Sequence, residues 1–197
     1  MVLCFSATGN SRLAAQVLAG KLGDELVSLN EVFKARKEWV FRSEAPYVLV
    51  APIYAWRLPK QVEAFLKRAR LLGNRQIYVL ATMGQSSGAA REYCKAAVEG
   101  NGMAFMGFQG IVMPDNYMVS YPMPSREEAA SIIKSALPVL AQAAAARVHR
   151  FDCSGPEAIR VSLPFAAASP TINSRLRSLF PPGPRPVRSS RLIYSPS

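Results

Sequence analysis

Histidine is almost absent from this chain: His149 is the only one among 197 residues. Cysteine is scarce too, with Cys4, Cys94 and Cys153 far apart and no two in a CxxC spacing. These shortages exclude a disulfide framework and a cysteine or histidine zinc site, because either needs several ligands at short, repeated spacings. No metal site is expected. Acidic residues are few, 13 against 24 lysines and arginines, which leaves a net charge of +11. No apolar run reaches the roughly 18–20 residues that span a bilayer. Residues 1–5 carry no basic segment of the kind that opens a secretory signal, so the expected location is the cytoplasm. With 50% hydrophobic and 19% charged residues, the chain has too much apolar content to remain unfolded.

What the sequence does have, over residues 1–113, is an alternation of short apolar runs with amphipathic stretches of helical length. That is the pattern of βα units around a parallel sheet. Five strands are expected, at residues 2–5, 25–29, 47–51, 76–81 and 104–113. The third and fourth, Tyr-Val-Leu-Val-Ala and Ile-Tyr-Val-Leu-Ala, are apolar on both faces, as strands covered by helices on each side must be. Helical spacing links Leu13, Ala14, Val17, Leu18 and Leu22, then Val62, Phe65, Leu66 and Ala69, then Ala90, Tyr93, Cys94, Ala97 and Val98. Each of these helices is expected to stop at a glycine. A last helix should open at Ser125 with Glu128 three residues on, a capping-box spacing, and run to about Arg147 with Pro138 on its solvent side. Residues 1–150 read as one domain. Residues 151–197 hold eight prolines, six arginines and no lysine, and read as an irregular tail.

The loops at the strand ends carry the chemistry. After the first strand come Ser6, Ala7, Thr8, Gly9, Asn10 and Ser11, leading straight into the first helix. Hydroxyls and a glycine at a helix N-terminus can hold a phosphate dianion through backbone N–H groups without any lysine. The loop matches neither GxxxxGK[ST] nor GxGxxG, so one terminal phosphate fits better than a triphosphate or a dinucleotide. In open α/β sheets ligands sit beyond the strand carboxyl ends, so the loops after the third and fourth strands should complete the site. The first of these holds Pro52, Ile53, Tyr54, Ala55 and Trp56, two aromatics held between Pro52 and Pro59. The second holds Thr82, Met83, Gly84 and Gly88, small enough to let backbone approach a ligand. A phosphate cradle, an aromatic wall and a glycine-bearing loop describe a pocket for a phosphorylated planar ring, with flavin mononucleotide (FMN) the obvious candidate.

The segment 6–11 resembles the phosphate-binding loop of flavodoxins. The Pro52–Trp56 stretch resembles the aromatic loop of one branch of that family, in which a flavodoxin-like module is followed by a ferredoxin module with two Fe–S clusters. Met113-Pro114-Asp115-Asn116-Tyr117 is similar to that branch as well. The resemblance implies a flavodoxin-like α/β three-layer sandwich, a five-stranded parallel sheet in the order 2-1-3-4-5, with FMN at the strand-end crevice; flavodoxin itself exemplifies that order. It also implies that Ser6, Thr8, Gly9, Asn10 and Ser11 hold the phosphate, with Ala7 contributing backbone. Trp56 and its neighbours would cover one ring face, residues 82–88 would approach the ring edge, and Asn116 and Tyr117 would close the pocket.

Two departures qualify the likeness. Cys153 alone cannot bind a cluster, so an Fe–S function is not carried over, and two readings of the tail stand: a truncated or frameshifted remnant of a ferredoxin module, or a natural basic tail. The second departure is charge. Flavodoxins are typically acidic, whereas here Arg57 lies in the ring-covering loop and Asp115 is the one nearby acid, which predicts a less reducing flavin. The leading functional expectation is an electron carrier acting with a redox protein partner, an Fe–S protein being one candidate, and with no side chain needed as acid or base. The alternatives are a flavin-dependent reductase of a quinone-like acceptor and, further off, a module whose basic tail binds nucleic acid or an acidic partner.

Overall fold

A computed structural model of the chain describes residues 1–36, 38–116 and 123–148. The expected tail at 151–197, Tyr117 and His149 lie outside the described residues. The elements are β1 (Val2–Cys4), α1 (Asn10–Leu22), β2 (Leu26–Ser28), α2 (Leu29–Lys34), β3 (Val40–Ser43), β4 (Tyr47–Pro52), α3 (Lys60–Arg68), β5 (Arg70–Gly73), β6 (Gln76–Met83), α4 (Ala90–Gly100), β7 (Ala104–Val112) and α5 (Arg126–Val148).

Five strands form one parallel sheet in the order β2-β1-β4-β6-β7, the flavodoxin-like arrangement expected from the sequence. Because side chains alternate across a strand, each central strand feeds two cores. Leu3, Leu49 and Val79 face one way, onto Leu29, Val62, Phe65, Leu66, Cys94 and Val98 of α2, α3 and α4. Val2, Cys4, Val48, Val50 and Leu80 face the other way, onto Ala14, Ala15 and Leu18 of α1 and Ala136, Leu140 and Ala144 of α5. The two layers are built differently. Small residues let α1 and α5 lie close to the sheet, whereas Phe33, Trp39, Phe41 and Phe65 fill the opposite side with tilted rings 5.2–6.1 Å apart. Such ring geometry adds about 0.5–1.5 kcal/mol per pair beyond area burial.

Local signals held where the chain had its own partner nearby. Gly23 ends α1 at φ 63°, and its N–H closes onto the Ala19 carbonyl. The capping box at α5 is formed in both directions: Ser125 N–H donates to Glu128 Oε2 at 2.8 Å, and Glu128 N–H to Ser125 Oγ at 3.2 Å. Pro138 sits exposed within α5, on the solvent side as its spacing predicts. The glycine stops failed in two places. α3 ends at Ala69 in extended backbone, and Gly73, at φ 84°, serves the turn from β5 to β6 instead. α4 runs through Gly100, and the left-handed residue is Gly102 at φ 70°.

Three elements were not expected. α2 begins directly after β2, with Ser28 as N-cap accepting from Glu31 N–H. β3 and β5 pair in parallel as a separate two-stranded sheet, Val40 opposite Arg70 through Ser43 opposite Gly73. That pair is locked onto the main sheet by Tyr47, fully buried at the start of β4. Its hydroxyl donates toward two carbonyls, Leu72 at 2.7 Å and Phe41 at 3.1 Å. β7 also carries a bulge, with Phe105 opposite Ile77 but Gly107 opposite Tyr78.

Candidate functional site

The strand order reverses between β1 and β4, and the loops leaving the carboxyl ends of β1, β4, β6 and β7 meet there. The loop after β1 turns into α1 through Gly9, whose φ of 109° and ψ of −26° suit glycine and few other residues. Ser6 anchors it: its N–H donates to Asn30 Oδ1 at 2.9 Å, and its hydroxyl accepts from Gly9 N–H at 3.2 Å. Among the described residues, the N–H groups of Ala7, Thr8, Asn10, Ser11 and Arg12 have no protein acceptor. Ala7, Thr8 and Gly9 are exposed, the first turn of α1 holds no acid, and Arg12 stands on its outer face. Free amides at the positive end of a helix form a place for an anion.

The side chains of the last two loop residues are committed elsewhere. Asn10 Nδ2 donates to the Pro114 carbonyl at 2.8 Å, and Ser11 Oγ lies 2.7 Å from Thr82 Oγ1 in a buried hydroxyl pair. Both fasten the loop to its neighbours; Ser11 is itself buried, so the loop's outward surface is formed by Ala7, Thr8 and Gly9, with Asn10 half-buried. Thr82, 2% exposed, is likewise a fastening residue. Thr8 Oγ1 accepts from Asn116 Nδ2, which brings the loop after β7 onto the loop after β1.

The aromatic loop is a tight hairpin. Tyr54 and Arg57 exchange both backbone hydrogen bonds, at 2.8 and 3.1 Å, with Ala55 and Trp56 between them at φ 47° and 61°. Two consecutive left-handed residues make the kind of turn that Asn-Gly normally occupies, so two ordinary side chains hold it under strain. Trp56 is 60% exposed at the tip and Tyr54 48%. Pro52 pairs with Thr82 at the end of β4, and Ile53 N–H donates to the Thr82 carbonyl at 2.8 Å, tying this loop to the next.

The loop after β6 owes its shape to its neighbours. A Cβ at Gly84 would stand 2.8 Å from Asp115 Oδ2, and one at Gly88, at φ 49°, would overlap Trp56. The glycines let the Asp115 and Trp56 side chains of the neighbouring loops lie directly on the backbone of this one. Met83 turns toward β7: a Cβ on Gly110 would be 2.8 Å from its Cε, and its carbonyl accepts from Met113 N–H.

Arg57 departs from its expected role. Its guanidinium is bidentate to Glu63, with Nε to Oε1 at 2.9 Å and Nη2 to Oε2 at 3.2 Å, and lies 4.1 Å over the Tyr93 ring. The Glu63 hydrogen bond and charge hold the guanidinium pKa above its ordinary value. A cation paired this way offers little net field to a ring beside Trp56, so Arg57 is no longer a reason to expect a less reducing flavin. The sequence reading missed Asn30 and Glu63, around which no local pattern announces a contact; it placed Tyr93 on the apolar face of its helix, where it is instead 44% exposed, and it named Pro114 in a motif without the role of its carbonyl.

Neither cysteine among the described residues is activated as a nucleophile. Burial pushes the Cys4 thiol up to about 11, against a small opposing pull from Arg12, and the Cys94 thiol up to about 12. Both stay protonated in the core. No group of three or more metal-ligating side chains occurs among the described residues, and no helix there is long and apolar enough to cross a membrane.

The sequence matches the flavodoxin domain family over residues 1–136, and the chain belongs to that family. No curated protein sequence matches it. Solved structures of similar shape include the two-electron reduced flavodoxin of Megasphaera elsdenii, 18% identical, covering 70% of this chain and 99% of that one at a TM-score of 0.41. The Trp repressor binding protein of Bacillus subtilis is 16% identical over 77% of this chain and 97% of its own, at 0.46. A flavoprotein of Lactobacillus acidophilus in complex with FMN is 11% identical over 55% and 90%, at 0.40.

Proposed function

We propose that the chain binds FMN at the crevice between β1 and β4 and works as an electron carrier. The observation that carries this reading is the set of unpaired N–H groups of Ala7, Thr8, Asn10, Ser11 and Arg12 at the start of α1, at the same strand ends as the exposed Trp56. Backbone of Ala7, Thr8, Asn10 and Ser11 would hold the phosphate, with the Ser6 and Thr8 hydroxyls at its rim. Trp56 and Tyr54 would cover one face of the ring, while Gly84 and Gly88 let backbone come close to its edge. Asn116 would hold the loop after β7 against the phosphate loop. When bound, FMN supplies one- and two-electron redox chemistry, and the protein's share is to bind it, orient it and set its surroundings. Asp115, beside Gly84, is the acid placed to resist extra negative charge on the ring.

The narrower kinship, with flavodoxins that precede a two-cluster ferredoxin module, is supported by the motifs at 52–56 and 113–116. The chain's three separated cysteines provide no cluster motif, so electrons would pass to or from a separate redox protein. The test is an absorbance titration of the purified full chain with FMN, followed by stepwise reduction. Stoichiometric binding that weakens at least tenfold in a Ser6→Ala/Thr8→Ala double variant is the expected result. No binding with excess FMN overturns the proposal, and steady NADPH oxidation with a quinone acceptor would replace the carrier by a reductase.

A further inference from the structure

Basic residues are densest, and least balanced by acids, over residues 57–75. Between Arg57 and Arg75 lie six basic residues, Arg57, Lys60, Lys67, Arg68, Arg70 and Arg75, against a single acid, Glu63. Glu63 is taken up by Arg57, and Lys60, Lys67, Arg68 and Arg70 have no ion-pair partner among the described residues. All four are exposed, on α3 and at the start of β5. Elsewhere exposed bases are spread out, some paired, Lys34 with Glu31, Arg42 with Glu44, Arg91 with Glu92 and Lys95 with Glu99, and others, Arg12, Lys21, Arg36, Arg126 and Lys134, single. A field of one sign left uncompensated raises the free energy of the isolated protein and is relieved by an oppositely charged surface.

Beside these cations runs a cleft of about 350 Å³ between α3 and α4, lined by Ala96, Ala97, Gly100, Lys67, Tyr93 and the Arg57–Glu63 pair. The small lining residues Ala96, Ala97 and Gly100 leave room for an incoming side chain. Tyr93 is 44% exposed, and Arg57 links it to Tyr54 and through the hairpin to Trp56. Exposed Trp, Tyr and Arg in one contiguous patch are the residue types that dominate the energetics of protein interfaces.

We infer that the α3–α4 face is a docking surface for a protein whose own surface is acidic. Glu63 in the cleft wall, with Glu92 and Glu99 along α4, argues against a phosphate backbone, which would meet carboxylates where it needed cations. A protein can instead place an apolar side chain in the cleft and its carboxylates against Lys60, Lys67 and Arg68. That this partner is a redox protein rests on the flavin reading, and the contiguity with Trp56 would bring it beside the ring.

The test measures binding of the FMN-treated full chain to a plant-type [2Fe–2S] ferredoxin, an acidic probe, with basic cytochrome c and duplex DNA as comparisons. Ferredoxin binding is expected at low salt and to fall steeply as salt is added, because the ionic attraction is screened. Lys60→Glu/Lys67→Glu/Arg68→Glu should weaken it at least tenfold at low salt and much less at high salt. The neutral Lys60→Gln/Lys67→Gln/Arg68→Gln chain, which adds no acid to the last turn of α3, should lose an intermediate amount. Flavin binding should be the same in all three. Absence of ferredoxin binding, preference for cytochrome c, affinity unchanged by these substitutions, or tighter binding of DNA through the same residues each overturns the inference. Ferredoxin binding by a chain that takes up no flavin would retain the docking surface and overturn the flavin reading instead.

Discussion

The two ends of the sheet treat their polar groups in opposite ways. At the amino end nearly every donor near the strand starts has a partner. The Met1 amino group pairs with Asp24 at 2.9 Å, Tyr47 bridges two carbonyls, and Asn74 and Asn101 fasten β5 and α4 to their neighbours. At the carboxyl end a run of N–H groups goes without protein acceptors, Ala55 and Trp56 are held at positive φ, and large aromatics face water. A group satisfied within the fold contributes to stability; a group left open is available to a ligand. The difference therefore separates the end that holds the fold together from the end that binds.

Substitutions at each end can sharpen or break this division. Phe65→Ala, at the centre of the aromatic layer, should cost about 3–5 kcal/mol and shift the urea midpoint more than any loop change. Tyr47→Phe leaves the Leu72 and Phe41 carbonyls without their donor and should cost about 1–3 kcal/mol, with FMN affinity of the folded protein unchanged. Coupled loss of flavin affinity in that variant would show that the two ends are not independent.

The buried thiols give a pH-dependent change of smaller size. Their folded values, about 11 for Cys4 and about 12 for Cys94, lie above the ordinary 9.0, so the folded state holds the proton more tightly. Their contribution is fully present below pH 9 and is lost as pH rises toward 11 and 12, at up to about 1.4 kcal/mol per pH unit for each thiol. Denaturation midpoints followed from pH 8 to 10.5 in the wild type and in Cys94→Ala check this, the variant showing the shallower decline. The smallest effect is expected at the strained tip, where Ala55→Gly should stabilise by about 0.5 kcal/mol, seen as a raised melting temperature. A loss of stability there would mean that the hairpin is not strained.

Much of the fold was legible because its signals are local. The runs at 47–51 and 76–81 are apolar on both faces and became central strands; Ser125 and Glu128 stand three apart and became a reciprocal cap. β3 and β5 were not legible, since each is four residues long, carries an arginine, and becomes a strand only by pairing with a segment some thirty residues away. The same distinction runs through the site. The composition and order of residues 6–11 announce an anion-binding helix start, but nothing local says that Ser11 turns inward to Thr82 or that Asn10 reaches Pro114. Nor does the position of Arg57 in an aromatic loop reveal that Glu63, one helical turn into α3, takes up its charge.

The sequence by itself determined the layering of this protein, because strand and helix periodicities decide which side chains must leave water. It also placed a hydroxyl- and glycine-bearing loop at the start of a helix, where unpaired N–H groups are an unavoidable consequence of helix geometry. Only the tertiary structure decided which polar side chains of that loop are spent on holding it and which groups remain for a ligand. It also decided which cations are neutralised and which stay open on the α3–α4 face. Those outcomes depend on pairing between segments distant in the chain, which no local pattern encodes.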